Sequence, residues 1–333
     1  MTGPAGPPLP DAEYVLPLRW SDDAGLEELA AYLRGLAGRL PVTVVDGSDP
    51  ARFAAHARAF GDAVRHVRPD AHPGRNGKVA GVLTGLRLAR APRVVLADDD
   101  VRYDRAALAV VLARLADADV VRPQNVFDPM PWHARWDTAR TLLNRALGSD
   151  YPGTLALRRD ALGPGGYDGD VLFENLELLR TVRARGGSEH RADDVFVTRR
   201  PPTVRHFLRQ RPRQAYDSLA QPLRFAAELA VLPVVVVAAR DVRVLTALAL
   251  VVVAVAETGR RRAGGASRFP ASAVPLAPAW LLERGVCAWL ALVLRACGGV
   301  PYAGGRLARA ATPLRDLRAV HRLVHPRSPE VAA

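Results

Sequence analysis

Three consecutive carboxylates, Asp98-Asp99-Asp100, follow the apolar run Val94-Val95-Leu96-Ala97. Two unit charges ~4 Å apart repel by ~4 kcal/mol at an effective dielectric near 20, so such a triplet calls for water, a cation or a basic partner. If the strand continues through it, side chains alternate faces, and Asp98 and Asp100 point one way while Asp99 points the other. Two hard oxygen ligands at the carboxyl end of a strand suit Mg²⁺ or Mn²⁺ carrying a substrate diphosphate. A solvated acidic loop would read the same way, and the triplet alone does not choose between them. A further carboxylate, Asp46, ends the β-branched run Val42-Thr43-Val44-Val45 and opens the turn cluster Asp46-Gly47-Ser48-Asp49. Lys78, the sole lysine among 46 Lys and Arg residues, stands at the start of a helical pattern.

The elements that must position these residues alternate. Tyr14–Leu18 reads as a short strand, and residues 24–39 carry Leu26, Leu29, Leu33 and Leu36 at helical spacing before the breaker Gly38. Strand signals recur at Pro41–Val45, Ala63–Val67, Val94–Ala97 and Ala118–Arg122, and helical ones at 50–61, 77–91 and 105–116. Strands alternating with helices predict a mostly parallel sheet covered on both faces, with ligands outside the carboxyl ends of the strands. Asp46 and Asp98–Asp100 fall at two such ends and are expected to share one site.

Composition narrows the partners. The 333 residues are 49% hydrophobic and 24% charged, which fits a globular chain, and the net charge of +12 comes almost wholly from arginine. There is no zinc-finger spacing, basic heptad region or aromatic-interleaved arginine ladder, so no nucleic-acid partner is expected. Anionic headgroups or a nucleotide diphosphate answer the excess better. Cys287 and Cys297 read as free thiols. Residues 1–12, with four prolines among the first ten, read as a disordered lead-in without a visible secretory signal. The composition changes near residue 219. Residues 224–257 form two apolar stretches of ~16 residues each, short for the ~30 Å hydrocarbon core yet compatible with a tight membrane hairpin; a pair of buried core helices is the alternative. Residues 276–294 carry Glu283 and Arg284 mid-segment, which suits an interfacial helix. Basic residues after 259 and after 294 favour the cytoplasmic face. From about 311 the chain reads as a basic, loosely ordered tail.

In order and spacing, several motifs resemble those of family 2 glycosyltransferases of the GT-A fold, over roughly residues 14–310. Val44-Val45-Asp46-Gly47-Ser48-Asp49 resembles the first-aspartate strand end, Gly77–Leu86 the GKxxALNxGL helix, and Leu96–Asp100 the strand with the DxD motif. Gly153–Arg159 resembles the strand before the acceptor helix, Gly165-Gly166-Tyr167-Asp168 with Phe173–Leu178 the GGFDE…EDxEL pair, and Gln210–Gln214 the QxxRW box. Gly298–Gly304 resembles a C-terminal piece of membrane-bound relatives, and the layout is similar to ceramide-glucosyltransferase-like members. The resemblance implies a GT-A α/β domain over 13–218, followed by membrane-associated helices over 219–310. It implies that Asp46 accepts hydrogen bonds from the nucleotide base and that Lys78 touches the diphosphate. Asp98 and Asp100 would hold Mg²⁺ or Mn²⁺, and Gln210 and Arg213 would close over the donor. The family's catalytic aspartate is replaced here by Asn175, which cannot take a proton; Glu174 is the adjacent candidate base, with Asp170 and Glu177 as alternatives. Gln214 replaces the tryptophan of the box, with Phe207 or Tyr216 as substitutes. The cluster Trp132-His133-Ala134-Arg135-Trp136-Asp137 would line an acceptor pocket or serve as ordinary packing.

The implied activity is transfer of a hexose from a nucleotide sugar, a UDP-sugar above others, to a lipid or lipid-linked acceptor at a membrane surface. Asn175 and Gln214 keep open a catalytically inactive, membrane-tethered nucleotide-sugar binding protein. A nucleotidyltransferase is less consistent, because Arg19-Trp20-Ser21-Asp22-Asp23 supplies no glycine-rich phosphate loop.

Overall fold

The β-branched run before Asp46 forms a fully buried strand, as its composition dictates. The structure, a computed structural model, describes residues 9, 11–148, 150–302 and 305–324. The strands are β1 (Ala12–Leu18), β2 (Val42–Asp46), β3 (Arg65–Val67), β4 (Arg93–Ala97), β5 (Val101–Arg102), β6 (Val120–Phe127), β7 (Thr154–Arg158) and β8 (Glu189–Arg199). They make one sheet in the order β3-β2-β1-β4-β7-β6-β8-β5. The β3-β2-β1-β4 half is parallel, as the alternating pattern predicts. β7 runs antiparallel to both β4 and β6, and β5 antiparallel to β8, so the sheet is mixed but mostly parallel, a GT-A-like fold.

Helices α1 (Leu26–Ala37), α2 (Pro50–Phe60), α3 (Gly77–Leu88), α4 (Arg105–Arg114), α5 (Trp132–Leu147), α6 (Glu174–Ala184) and α7 (Val204–Tyr216) cover the sheet. Asp49, Asn76 and Asp104 cap α2, α3 and α4 by accepting from backbone N–H groups of the first turns. One face packs Leu29, Leu33, Leu108 and Leu112 on Leu16, Val44 and Val95. The other packs Val79, Val82, Leu178 and Val182 on Val15, Val94 and Leu157. Glycine is required at 85: a Cβ there would meet Val15 Cγ1 at 2.2 Å. α3 therefore lies flush on β1, which fixes where its N-terminal Lys78 emerges.

Beyond α7 come α8 (Pro222–Ala238), α9 (Val242–Arg261), α10 (Ala277–Ala296), the ribbon β9 (Val300–Tyr302) and β10 (Gly305–Leu307), and α11 (Leu314–Val324). The expected hairpin is α8 and α9, and the expected interfacial segment is α10. Val242–Ser267 and Ala271–Ala296 are long and apolar enough to cross a membrane. They differ in setting. Only 11% of the most apolar window of the first is buried, against 39% for the second. α10 turns its charges inward: Arg211 Nε meets Glu283 Oε1 at 2.5 Å, Trp136 Nε1 donates to Glu283 Oε2 at 2.5 Å, and Arg284 is buried over the Trp280 ring. The end of α9 is held by Arg145 of α5, which donates to Gly259 O, Gln124 Oε1, Asp193 O and Arg262 O. The tail expected to be loose from 311 is instead helical over α11, which packs on α6. Residues 1–8, Ala303-Gly304 and the tail after 324 lie outside the described residues.

Candidate functional site

The carboxyl ends of β2 and β4, the N-termini of α3 and α6, and α7 enclose a cavity of about 540 Å³. Its wall includes Lys78, Asp98, Asp99, Glu174, Asn175, Gln210, Arg213 and Gln214. Residues of six sequence motifs, from Val45 to Gln214, thus meet at one place. Its charged wall residues are Arg19, Lys78, Arg199 and Arg213 against Asp98, Asp99, Glu174 and Asp217, so cations for a diphosphate and carboxylates for a cation are both at hand.

Lys78 is the electrostatic hub. Its Nζ lies 2.5 Å from Asp98 Oδ1 and 2.6 Å from Glu174 Oε1. Burial disfavours the ammonium, but Asp98 and Glu174 outweigh it and hold its pKa well above the ordinary lysine value. The start of α3, at Gly77 and Lys78, belongs to the same wall, and a helix N-terminus favours an anion, although the Lys78 N–H is already taken by Asn76 Oδ1 at 3.1 Å. Tyr302 Oη donates to Asn76 Oδ1 at 3.0 Å, and Asn76 Nδ2 donates to Val171 O at 2.9 Å, which ties the α3 cap to β9 and to the loop before α6.

The aspartate triplet departs from strand alternation. β4 ends at Ala97, and residues 99–100 form a turn. Asp98 and Asp99 therefore both line the cavity, and Trp20 Nε1 donates to Asp99. Asp98 N donates to Gly153 O at 2.8 Å, and a Cβ on Gly153 would meet Asp98 Oδ2 at 2.6 Å. Asp100 is not in the wall; it accepts from Arg199 Nε at 2.8 Å. Its other oxygen, Oδ1, is buried without a partner. Burial raises the Asp100 carboxyl, Arg199 lowers it, and Asp98 and Asp99 raise it further, so it is pushed up to about 6. An orphaned oxygen in an acidic cluster fits a divalent cation.

Asp46 is corrected by the structure. Its side chain is completely buried and not in the wall, although its neighbours Val45 and Gly47 are. Oδ1 accepts from Ser48 N at 2.8 Å; Oδ2 meets His56 Nδ1 at 2.6 Å and His66 Nε2 at 3.0 Å. Burial pushes this carboxyl up, but hydrogen bonds from His66, Ser48 and His56 prevail and hold it well below the usual carboxylate range. In this arrangement it braces the strand end. Asp46, His56 and His66 place donor atoms within 4.8 Å of one another, a group that sequence spacing did not reveal.

Among the carboxylates considered as base, only Glu174 lines the cavity. Glu177 is buried away from it, accepting from Thr312 N at 2.6 Å, and Asp170 accepts from Arg75 N at 3.1 Å. Asn175 lines the wall, with Nδ2 donating to Pro152 O at 3.2 Å. Gln210 contacts His206, and the Arg213 guanidinium lies 5.3 Å from the Tyr302 ring centre. Neither Phe207 nor Tyr216 replaces the missing tryptophan: Phe207 packs on Trp132 and His133, and Tyr216 Oη donates to Ala308 O at 2.8 Å. The wall's aromatic rings are Tyr151, Phe173 and Tyr302. The 132–137 cluster packs α5 against α7 and α10, with Asp137 Oδ1 2.8 Å from Arg211 Nη1.

Sequence reasoning missed Asp217. It lines the cavity, and its Oδ1 is buried without a partner. Burial pushes its carboxyl up to about 7, with Glu174 adding and Arg213, Arg284 and Arg224 opposing. It stands four residues after Arg213, beyond the matched box, where no local pattern marks it.

The pattern that defines Glycosyl transferase family 2 matches residues 27–163. No curated protein matches the sequence. Among solved structures, the mannosyltransferase PcManGT from Pyrobaculum calidifontis, in complex with GDP-Man and Mn²⁺, superposes with a TM-score of 0.50 at 20% identity, covering 84% of this chain and 87% of that one. Glucosyl-3-phosphoglycerate synthase from Mycobacterium tuberculosis, with Mn²⁺ and UDP-glucose, gives 0.40 at 17% identity, over 60% of this chain and 76% of that one. Mannosyl-3-phosphoglycerate synthase from Rubrobacter xylanophilus gives 0.40 at 18% identity, over 60% and 70%. The first of these likenesses carries the fold.

Proposed function

From the Glycosyl transferase family 2 match over residues 27–163, we propose that the chain is a membrane-associated, metal-dependent, inverting glycosyltransferase that moves a hexose from a nucleotide sugar to a lipid or lipid-linked acceptor. The observation that carries the reading is the convergence of Lys78, Asp98, Glu174, Gln210 and Arg213 on one cavity. UDP- and GDP-sugars are the donors to try first, the former from the family resemblance of the sequence motifs and the latter because the complex of the similar mannosyltransferase contains GDP-Man.

Lys78, the α3 N-terminus and Arg213 bind the donor diphosphate, with Gln210 beside them. Asp98, with the partnerless Oδ1 of Asp100, would hold Mg²⁺ or Mn²⁺. When bound, such an ion offsets the charge that develops on the diphosphate. Glu174 takes the proton of the acceptor hydroxyl as its oxygen attacks the anomeric carbon, and the bond from that carbon to the diphosphate breaks. Asn175 orients the acceptor and holds no proton. A second assignment has its own support: Asp217 stands in the same wall with its Oδ1 buried and partnerless, its carboxyl pushed up to about 7, where a general base works best. The exposed apolar faces of α8 and α9, with Val236 67% and Leu250 62% exposed, support a membrane surface. The basic run Arg260-Arg261-Arg262 favours its cytoplasmic side.

The test is a screen of UDP- and GDP-sugars with Mn²⁺ and a lipid extract, followed by mass analysis of the lipids. The expected product is a lipid heavier by one hexose, lost on chelation and restored by Mn²⁺ or Mg²⁺. Glu174→Gln is expected to lower kcat by about 10²-fold or more, with Asp217→Asn retaining activity; the reverse pattern transfers the base role to Asp217. Donor binding without turnover for any sugar would instead establish an inactive binding protein.

A further inference from the structure

A second cavity, of about 520 Å³, lies between α5, α8, α9 and α10. Leu143, Val231, Val252, Val255 and Leu281 make its wall aliphatic. Leu147 and Val251 belong to the same wall, yet are 79% and 59% exposed. The cavity therefore opens on the outer apolar face of the helices, where a bilayer would lie. Its wall is not uniformly apolar. Glu228 Oε2 and Trp280 Nε1 are buried without a partner, and the adjoining Arg284 leaves Nε and Nη1 in the same state. Most buried polar atoms in folded proteins are paired, so the two orphans in the wall of this apolar slot, with the Arg284 pair behind Trp280, point to a polar group that the chain itself does not supply. An aliphatic slot with polar atoms in its wall suits an amphiphile, and its exposed aliphatic rim favours one entering from a membrane.

The slot is adjacent to the donor cavity. Asp217 lines one and Gln221 the other, and four residues of chain span no more than about 14 Å. Arg224, in the wall of the slot, acts electrostatically on Asp217. A head group anchored near residues 217–224 thus lies within a short reach of Glu174.

We propose that this slot holds the hydrocarbon chain of the acceptor lipid and delivers its polar end past Asp217 to Glu174. The inference rests on the lipid-acceptor reading above and adds the site that selects the lipid. Ala227 lines the slot but is itself exposed, so a larger side chain there fills the slot without rebuilding a core. The full chain is placed in phosphatidylcholine nanodiscs with a medium-chain alkyl alcohol bearing a terminal diazirine, and the photolabelled residues are mapped by mass spectrometry. Labels are expected on Val231, Val252, Val255 and Leu281. Ala227→Trp should reduce them by about tenfold, the effect of displacing two buried methylenes. Val236→Trp, on the outer face of α8, should leave them unchanged. Labels spread evenly over outward residues such as Val236 and Leu250 would overturn the proposal. In the transfer assay Ala227→Trp should raise the KM for the extracted lipid about tenfold, and an unchanged lipid KM would equally overturn it. A wild-type protein that turns over no nucleotide sugar would refute the underlying function instead, while the labelling pattern still decides what the slot holds.

Discussion

Replacing Lys78 by methionine removes the one cation shared by the proposed metal ligand and the proposed base. Its Nζ sits 2.5 Å from Asp98 Oδ1 and 2.6 Å from Glu174 Oε1, so those oxygens lie no more than about 5 Å apart. At an effective dielectric near 20 they repel by about 3 kcal/mol once the ammonium is gone. That energy corresponds to about two pH units in the proton affinity of the pair. The Lys78, Asp98 and Glu174 side chains keep 27%, 22% and 12% exposure, so water screens part of the repulsion, while a separation shorter than 5 Å would raise it; about two units is the working figure. The sign is fixed: a nearby cation favours the ionised carboxylate, and its loss makes a proton harder to remove. Because kcat/KM reports ionisations of the free enzyme, the acid limb of its pH profile should move upward by about two units in Lys78→Met. Loss of activity should then grow as pH falls below the shifted limb, toward about a hundredfold at its acid end, and shrink above it. Nucleoside diphosphate release at varied pH measures it, with Lys78→Arg as the charge-retaining control. An acid limb that stays in place, with a loss equal at every pH, refutes the coupling and leaves Lys78 acting on the diphosphate alone.

Gly153→Ala should weaken metal activation, because its Cβ would meet Asp98 Oδ2 at 2.6 Å and displace that carboxylate; a rise of about tenfold in the Mn²⁺ needed for half-maximal rate is expected. Asp46→Asn should destabilise the fold near pH 7. The Asp46 pKa is depressed in the folded state, so its contribution is present above the unfolded value near 4 and fades as pH falls through the folded one. Thermal unfolding of variant and wild type should therefore converge on acidification, and a gap independent of pH would argue against this carboxylate as the cause. Arg145→Met removes hydrogen bonds to Gly259, Gln124, Asp193 and Arg262, leaves buried carbonyls unpaired, and should cost about 3 kcal/mol or more. Hydrogen exchange at the C-terminal end of α9 should rise more than in β1 or β4; a uniform rise would place the effect elsewhere.

Local pattern alone outlined most elements up to about residue 122, because strand and helix periods and their turn residues are written within a few residues of each other; the short β5 and the helix α5 were not read. It also led to the expectation that the acidic strand ends share one site, since a mostly parallel sheet gathers the carboxyl ends of its strands at one edge; that Lys78, Glu174 and the Gln210–Gln214 segment join them came from the family resemblance. Direction and burial were not local. Alternation made Asp100 a partner of Asp98, but the strand stops at Ala97, and the turn hands Asp100 to Arg199 of β8. Asp46 looked like a ligand contact until His56 and His66, ten and twenty residues on, closed over it. Asp217 enters the cavity from a segment with no motif, and Tyr302 from the Gly298–Gly304 piece to which no site role was attached, both brought there by α10 and the β9–β10 ribbon packing back on α7. Which charges are paired, and which carboxyl is left without a partner, depends on neighbours distant in sequence. Only the tertiary structure decided those.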